Sequence, residues 1–277
     1  MIELWGSIAD NFYYFWRVAL DLTNGYSLLL LVVVLFWPLE EFFPRLSPTK
    51  RVAGKAAVIT ILTVISVMVA QVYTRWGQQS LISILVPLKL FSLSKMPIPD
   101  WLLILVSMLL LDFVYYLSHL ISHYVKPIWQ LHKIHHADEH VTALSSLLHH
   151  PFESLYTAFV VTGFAVLVGM PILVYVYFGL ALAIHAVWAH ANLVLPDAID
   201  KKLRLLVVTP DVHRTHHSQN MREGNSNFGA LFTVWDRLFG TYTDRPQLSE
   251  QHLLMGLPEG AKPKAFSVKE LLFFPFR

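Results

Sequence analysis

The chain is long, apolar and nearly neutral: of its 277 residues 55% are hydrophobic and 14% charged, and its net charge is +2 at pH 7. Soluble domains carry about 25% charged residues, so this composition predicts a membrane protein, and the small net charge argues against nucleic-acid binding. Because the chain has no cysteine, disulfides, cysteine-held iron–sulfur clusters and thiolate-bound haem are excluded. Any metal must take histidine, carboxylate or carbonyl ligands.

Apolar runs predict about four transmembrane helices, since a bilayer core needs about 20 apolar residues per helix. The candidate runs begin, in chain order, at Tyr26, Ala56, Trp101 and Ser154. The last run is long enough for a helical hairpin with its bend at residues 169–171. A shorter run from Leu81 is broken by Pro87, which indicates a re-entrant or interfacial piece. The predicted fold is an all-α, polytopic membrane helical bundle.

Basic loops orient this bundle, because short cytoplasmic loops are enriched in lysine and arginine. Four basic residues separate the first two spans: Arg45, Lys50, Arg51 and Lys55. Three more follow the hairpin: Lys201, Lys202 and Arg204. Both groups then lie on the cytoplasmic side, and the chain between them brings every histidine-rich segment to the same face. The expected location is an integral membrane protein with its polar site on the cytoplasmic face.

All but one of the 14 histidines lie between His119 and His217. Eight of them form three boxes: His119 and His123; His132, His135 and His136; His213, His216 and His217. Offsets of three and four residues place side chains on one face of a helix. Buried imidazoles need partners, so the boxes predict metal binding, with enough nitrogens for two ions. A histidine pH sensor and a zinc site are the alternatives.

The identity of the metal does not follow from the ligand type, because imidazole suits iron, zinc, copper and nickel alike. The setting is more informative. A site at the membrane face, reached by apolar helices and without a cysteine nucleophile, favours oxidation of a lipid C–H bond. Hydrolysis by a zinc-dependent membrane hydrolase is the rival of another class, and a metal carrier is a third possibility.

Seven segments resemble the fatty acid hydroxylase or sterol desaturase superfamily in sequence, order and spacing. They are "DFVYYLSHLISH" (112–123), "IWQLHKIHH" (128–136), "HHPFE" (149–153), "HANL" (190–193), "TPDVHRTHHS" (209–218), "NFG" (227–229) and "WDRLFGTY" (235–242). The resemblance implies a membrane di-iron oxygenase that uses two iron ions, O2 and external electrons on a lipid. It also implies four transmembrane helices with a cytoplasmic helical cap around the histidine-rich dimetal site.

Carried over by position, the resemblance implies nine metal ligands: His119, His123, His132, His135, His136, His190, His213, His216 and His217. Ligating imidazoles usually give their other N–H group to a carboxylate or carbonyl. That role is expected of Asp112, Glu153 and Asp211, and His150 is also expected beside a ligand. Whether His185 is a ligand stays open, and His140 and His149 are expected to be ordinary surface histidines.

The chain divides into three expected regions: an N-terminal membrane region (1–110), a catalytic domain that includes the hairpin (111–245) and a C-terminal tail (246–277). The expected reaction is hydroxylation of a fatty acyl, sterol or related lipid. Desaturation and cleavage of an ether lipid are the alternatives within the same family. No electron-carrier domain is recognised, so the electrons are expected from a separate protein or a diffusible reductant.

Overall fold

The computed structural model describes residues 25–45, 52–244 and 253–277. Lys50 and Arg51, on which part of the orientation argument rests, lie outside these ranges. Within them the chain is helical, and β-structure is limited to three isolated bridges. The predicted all-α fold is therefore confirmed.

In the described part of the chain six helices form the bundle: α1 (Gly25–Phe42), α2 (Val52–Val72), α3 (Gln78–Leu85), α4 (Asp100–Tyr124), α6 (Pro151–Leu167) and α7 (Ile172–His190). Six short helices lie between or after them: α5 (Lys126–His132), α8 (Asp197–Leu203), α9 (Pro210–His216), α10 (Met221–Gly224), α11 (Val234–Phe239) and α12 (Val268–Phe273). The helix α6 packs against α2, α3 and α4, and α7 packs against α1 and α4.

Three described helical stretches are long and apolar enough to cross a membrane: Gly54–Leu88, Asp100–Tyr124 and Ile172–His190. The apolar helix α6 has 17 residues and accompanies α7 as the other arm of the predicted hairpin. The run from Leu81 departs from expectation. A π-helical turn joins α2 to α3, so that α2 and α3 form one continuous helix. Pro87 lies in the last turn after α3, where the missing N–H group interrupts few helical hydrogen bonds.

The far end of the bundle is closed by the bend between α6 and α7. Gly169 adopts a φ of +58°, and a Cβ there would lie 2.8 Å from the Ser92 Cα atom, so this close approach requires glycine. The Leu90 N–H group donates to the Leu167 carbonyl at 2.8 Å, and Ser94 N–H donates to the Gly169 carbonyl at 3.0 Å. The loop after α3 is thereby fixed to the predicted bend.

The end of the bundle opposite the bend, the near end, contains the C-terminal ends of α1, α4 and α7 and the N-terminal ends of α2 and α6. Glu40, near the end of α1, accepts from Ala143 N–H at 2.7 Å and from Asn192 N–H at 2.6 Å. Lys55, at the start of α2, pairs with the buried Asp138. The chain segments 125–150, 191–244 and 253–277 pack over these ends and form a cap, so every histidine box lies at one end of the bundle.

This arrangement predicts that residues of the cap and of the bend are on opposite sides of a membrane. The chain has no native cysteine, so single cysteines report position directly. In sealed vesicles an impermeant maleimide should label only one of Ser94→Cys and Glu259→Cys. Lys126→Cys, in the cap, should match Glu259→Cys. Equal labelling of positions 94 and 259 before the vesicles are opened would contradict the single-ended cap.

Candidate metal centre

Nine histidines converge at the near end in two groups. The first cluster contains His119, His123, His132, His136 and His216, and the second contains His135, His190, His213 and His217. In each cluster the nitrogens lie within 4.8 Å of one another, and all nine residues are buried except the half-buried His119. These are the nine histidines predicted as ligands, and no other histidine of the described chain lies in either cluster.

Each HxxHH box is divided between the two clusters. His132 and His136 contribute to the first cluster, whereas His135, between them in sequence, contributes to the second. The box at α9 is also divided: His216 contributes to the first cluster, and His213 and His217 contribute to the second. His119 and His123 come from the last two turns of α4, and His190 is the last residue of α7. Neighbouring sequence positions therefore serve two different centres.

The Nε2 atoms point toward one another within each cluster. In the first cluster the Nε2 atom of His132 lies 3.2 Å from that of His119 and 3.2 Å from that of His136. In the second, the corresponding distances are 3.0 Å for His190–His135, 2.9 Å for His213–His190 and 3.2 Å for His217–His213. Two imidazole nitrogens bound at right angles to one metal, each about 2.1 Å away, are about 3 Å apart. The spacing fits metal ions.

The opposite ring nitrogens have oxygen partners that fix the rings. Six Nδ1 atoms lie 2.6–3.2 Å from an oxygen: His119 from Phe228 O, His123 from Asn225 Oδ1, His132 from Glu153 Oε1, His135 from Leu148 O, His190 from Ala186 O and His216 from Ser226 O. These acceptors place the proton on Nδ1 and leave the Nε2 lone pair for a metal. The buried Nε2 atoms of His123 and His216 have no hydrogen-bond partner in the described chain, which also fits metal ligation.

Glu153 is the carboxylate that contacts imidazoles. Its Oε1 atom accepts from His132 Nδ1 at 2.6 Å and from His149 Nδ1 at 3.1 Å. The His149 ring also stacks on His135, with 4.4 Å between centroids and 10° between planes. His149 therefore departs from the expectation of an ordinary surface histidine. The four-residue spacing from Glu153, across the start of α6, is the sequence signal that could have indicated this contact.

Asp112 and Asp211 make other contacts in place of the expected imidazoles. Asp112 accepts from the backbone N–H groups of Leu231 and Phe232 and from Trp235 Nε1. Asp211 forms an ion pair with Arg45 at 3.3 Å. Both carboxylates join distant chain segments, Asp112 through backbone and indole N–H groups and Asp211 through an arginine.

Two further histidines lie near the clusters without joining them. His150 begins α6: its Nδ1 atom accepts from Phe152 N–H at 3.1 Å, and its Nε2 atom lies 3.3 Å from the Leu272 carbonyl. This ring holds the C-terminal segment on the cap. His185, whose role was open, packs edge-on against Trp188 with 5.2 Å between centroids and belongs to neither cluster.

A cavity of about 430 Å³ opens between α4, α6 and α7 and ends at the histidines, within the usual size range of ligand pockets. Its inner wall includes His119, His132, His135, His190 and His213. Hydroxyl groups line the adjoining region, from Tyr115, Ser118, Ser122, Ser154, Thr157 and Tyr175. Apolar groups such as Leu182 and Ala186 complete it. The cavity thus connects the spanning helices with both clusters.

Burial keeps five of the cap histidines neutral. It is the main cause that holds the pKa values of His136, His216 and His217 well below the ordinary histidine value. Neighbouring imidazoles lower these pKa values further, because two nearby positive charges repel each other. His135 and His213 have pKa values lowered for the same two reasons. A neutral imidazole is the form that binds metal.

Residues 104–241 match the sequence profile of the fatty acid hydroxylase family. Ornithine lipid hydroxylase OlsE of Rhizobium tropici is 27% identical over 53% of this chain and 43% of its own length. Alkylglycerol monooxygenase of Danio rerio is 25% identical over 60% of this chain and 35% of its own length. A cholesterol 25-hydroxylase-like protein of Danio rerio is 29% identical over 48% of this chain and 53% of its own length. The chain therefore spans about half or less of these relatives, and no solved structure matches it.

Removing one ligand from either cluster should remove metal. His216→Ala takes a nitrogen from the first cluster and His190→Ala takes one from the second. Each should lose at least one of the two ions and lower activity by more than about 100-fold, since even partners of ligands cost about 10–100-fold. Elemental analysis of the purified protein measures this. His140→Ala, outside both clusters, is the control, and full metal content in either cluster variant would refute ligation.

Acid should release the metal and destabilise the cap together. The unfolded histidine has a pKa of about 6.5, and the pKa values of His136, His216 and His217 are lower in the folded protein. The unfolded state binds more protons between these values, so stability is fully present above about pH 6.5 and falls as the pH drops below it. Thermal unfolding with metal analysis at each pH measures both. Metal retained through a gradual loss of stability would contradict the prediction.

Proposed function

Through residues 104–241 the chain belongs to the fatty acid hydroxylase family, and on that premise we propose that it is an integral membrane oxygenase that hydroxylates a C–H bond of a lipid. One observation carries this proposal: a cavity between membrane-spanning helices ends at two clusters of convergent histidine nitrogens. A lipid enters such a cavity from the bilayer without crossing water. Two metal centres at its end are suited to a reaction at an unactivated carbon.

The proposed metal is iron, held by the five histidines of the first cluster and the four of the second. Two iron ions bound there would supply the activation of O2 that breaking an unactivated C–H bond needs. In the overall reaction the lipid C–H group, O2, two electrons and two protons give a C–OH group and one water molecule. We propose that the two electrons come from outside this chain, from a separate electron-transfer protein or a diffusible reductant. An iron–sulfur cluster held by cysteines of the chain itself is excluded, because it has none.

The protein's part in this reaction is to orient the imidazoles and exclude water. Glu153 holds His132 through its Nδ1–H group, and the C-terminal segment closes the cap through the Gly256 N–H group, which donates to the His217 carbonyl at 3.1 Å. Leu257 and Leu271 of that segment pack with Ile134 in one apolar core. The site is therefore dry on its cap side and open toward the cavity.

The hydroxyl-rich part of the cavity favours a reacting carbon near a polar group of the lipid. Ser118, Ser122 and Thr157 line the cavity together with the histidines. Their hydroxyl groups favour a polar group of the lipid at this place, because a plain hydrocarbon chain offers no hydrogen bond. This supports a lipid oxidised near its head group, ester, amide or ether. If the oxidised carbon carries an ether oxygen, the hydroxylated product is a hemiacetal that breaks the ether bond. Ether cleavage is therefore the second candidate outcome, and it matches the name of the alkylglycerol monooxygenase relatives.

We also propose that the cap faces the cytoplasm. Arg45 and Lys55 lie at the near end beside the cap, and the exposed Lys201 and Lys202 lie within it. The bend at the far end has fewer cations. This asymmetry agrees with the enrichment of basic residues in cytoplasmic loops.

The test is oxygen incorporation. The iron-loaded protein in vesicles of mixed polar lipids, with reduced ferredoxin and isotopically heavy O2, should yield lipids that carry one heavy oxygen atom, as measured by mass spectrometry. Ether cleavage would instead release an aldehyde carrying that atom. His216→Ala should give neither product, whereas His140→Ala should retain turnover.

Turnover without O2, or with zinc as the sole metal, would overturn the proposal in favour of a hydrolase. In that case the heavy atom in the product would come from labelled water. A loss of two hydrogens without oxygen incorporation would identify a desaturase.

A further inference from the structure

A carboxylate lies at the middle of a membrane-spanning helix and is satisfied by a segment of the cap. Asp112 is twelve residues from either end of α4 (Asp100–Tyr124), or about 18 Å at about 1.5 Å per residue. Trp101 and Tyr124, near those ends, are 66% and 61% exposed, as expected of aromatic anchors at the two membrane interfaces. The depth of Asp112 is therefore close to the bilayer midplane, where an acid needs partners from protein.

Those partners come from residues 228–241, which descend along α4 and return. At the upper end, the Asn227 N–H group donates to the Thr241 carbonyl at 2.9 Å, and the Thr241 hydroxyl lies 3.1 Å from that of Tyr116. At the lower end, Leu231 N–H donates to Asp112 at 2.8 Å and Trp235 Nε1 donates to it at 2.9 Å. The helix α11 then rises back beside α4.

Several polar groups of this hairpin are paired within the protein. Asp236 accepts from Phe228 N–H, Gly229 N–H and the Thr241 hydroxyl at 2.7–2.8 Å. Val208 N–H donates to Leu231 O, and Thr233 N–H donates to Leu206 O. Irregular backbone is tolerated at membrane depth only when it is paired in this way.

The one strong cation of α11 points away from the tip. The Arg237 guanidinium donates to the Arg204 carbonyl at 3.0 Å and lies 3.8 Å from the Tyr242 ring centroid. Tyr242 follows the upper end of the hairpin, so the charge is carried toward the cap. Long basic side chains behave in this way beside a bilayer.

The outer surface of the hairpin is largely apolar and uncovered by any described residue, and Arg237 is its one exposed charged side chain. Leu206, whose carbonyl accepts from the Thr233 N–H group near the tip, is 70% exposed. Leu238 of α11 is 67% exposed. Val234 and Phe239 are also exposed, while the inner side of Phe239 stacks on Phe113 of α4 at 5.8 Å. This surface continues the lipid-facing surface of a spanning helix at the same depth.

We infer that residues 228–241 form a re-entrant hairpin whose Leu206, Val234, Leu238 and Phe239 side contacts the acyl chains of the bilayer. The cap is thus partly embedded in the membrane. Gly229 and Ala230 of the descending arm also line the cavity, so the hairpin separates the cavity from surrounding lipid. This inference concerns membrane contact and does not depend on the proposed reaction.

The experiment measures the depth of single cysteines in the metal-loaded, full-length protein. Leu206→Cys and Leu238→Cys are labelled with the fluorophore NBD and reconstituted in phosphatidylcholine vesicles at a low protein-to-lipid ratio. Ile104→Cys, on the exposed face of α4, is the lipid control. Glu259→Cys, with a side chain 94% exposed in the cap, is the water control. Quenchers are iodide in water and phosphatidylcholine with a nitroxide at acyl carbon 5 or 12.

At positions 206 and 238 we expect the nitroxide lipids to quench the fluorophore, as they should at position 104, and iodide to cause no loss of fluorescence. The nitroxide at carbon 12 should quench position 206 more than the nitroxide at carbon 5. Iodide quenching equal to that at position 259 would overturn the inference, because the cap would stand in water. Protection from both quenchers would also overturn it, because protein rather than lipid would cover the surface.

Discussion

Nine imidazole rings direct their Nε2 atoms toward one another in a buried pocket, and the rest of the structure is arranged around that constraint. Neighbouring Nε2 atoms lie 2.9–3.2 Å apart. Where an oxygen acceptor fixes the proton on Nδ1, as in six of the nine rings, Nε2 carries a lone pair, and facing lone pairs repel unless a cation lies between them. Protons are poor candidates, because burial lowers the pKa values of His216 and His217. Metal ions resolve the repulsion without placing charge on the rings.

Such rings must be held from behind by groups that cannot rotate away, and the fold supplies a backbone carbonyl for four of the nine. Phe228, Ser226 and Leu148 each offer a carbonyl oxygen to a ligand ring. Carbonyls stay acceptors at every pH, so they fix the tautomer more firmly than another imidazole would. The cost is that the irregular segments bearing them must be anchored. Asp112, at the middle of α4, provides that anchor for the segment after Phe228.

The residues that sequence reasoning placed incorrectly share one physical cause. Asp112 and Asp211 lie near the boxes in sequence, yet their carboxylates meet backbone N–H groups or Arg45 that arrive from far along the chain. His149 was expected at the surface, but Glu153 and the ring of His135 hold it at the site. Pro87 was expected to isolate the run from Leu81, but the π-helical turn before it keeps the helix continuous. Each outcome depends on a three-dimensional contact or backbone geometry that the residue type alone does not fix.

The sequence alone determined the helical membrane class and eight of the nine clustered histidines, because apolar run length and offsets of three and four residues are local properties of a helix. The ninth, His190, followed from the resemblance of "HANL" (190–193) to the family. It also located the hairpin bend at Gly169. Only the tertiary structure decided which histidines share a centre: His135 and His136 are adjacent in sequence but point into different clusters. It likewise decided that Asp112 accepts a hydrogen bond from the hairpin 228–241, since a contact between residues 112 and 231 arises only when a distant segment folds back along α4.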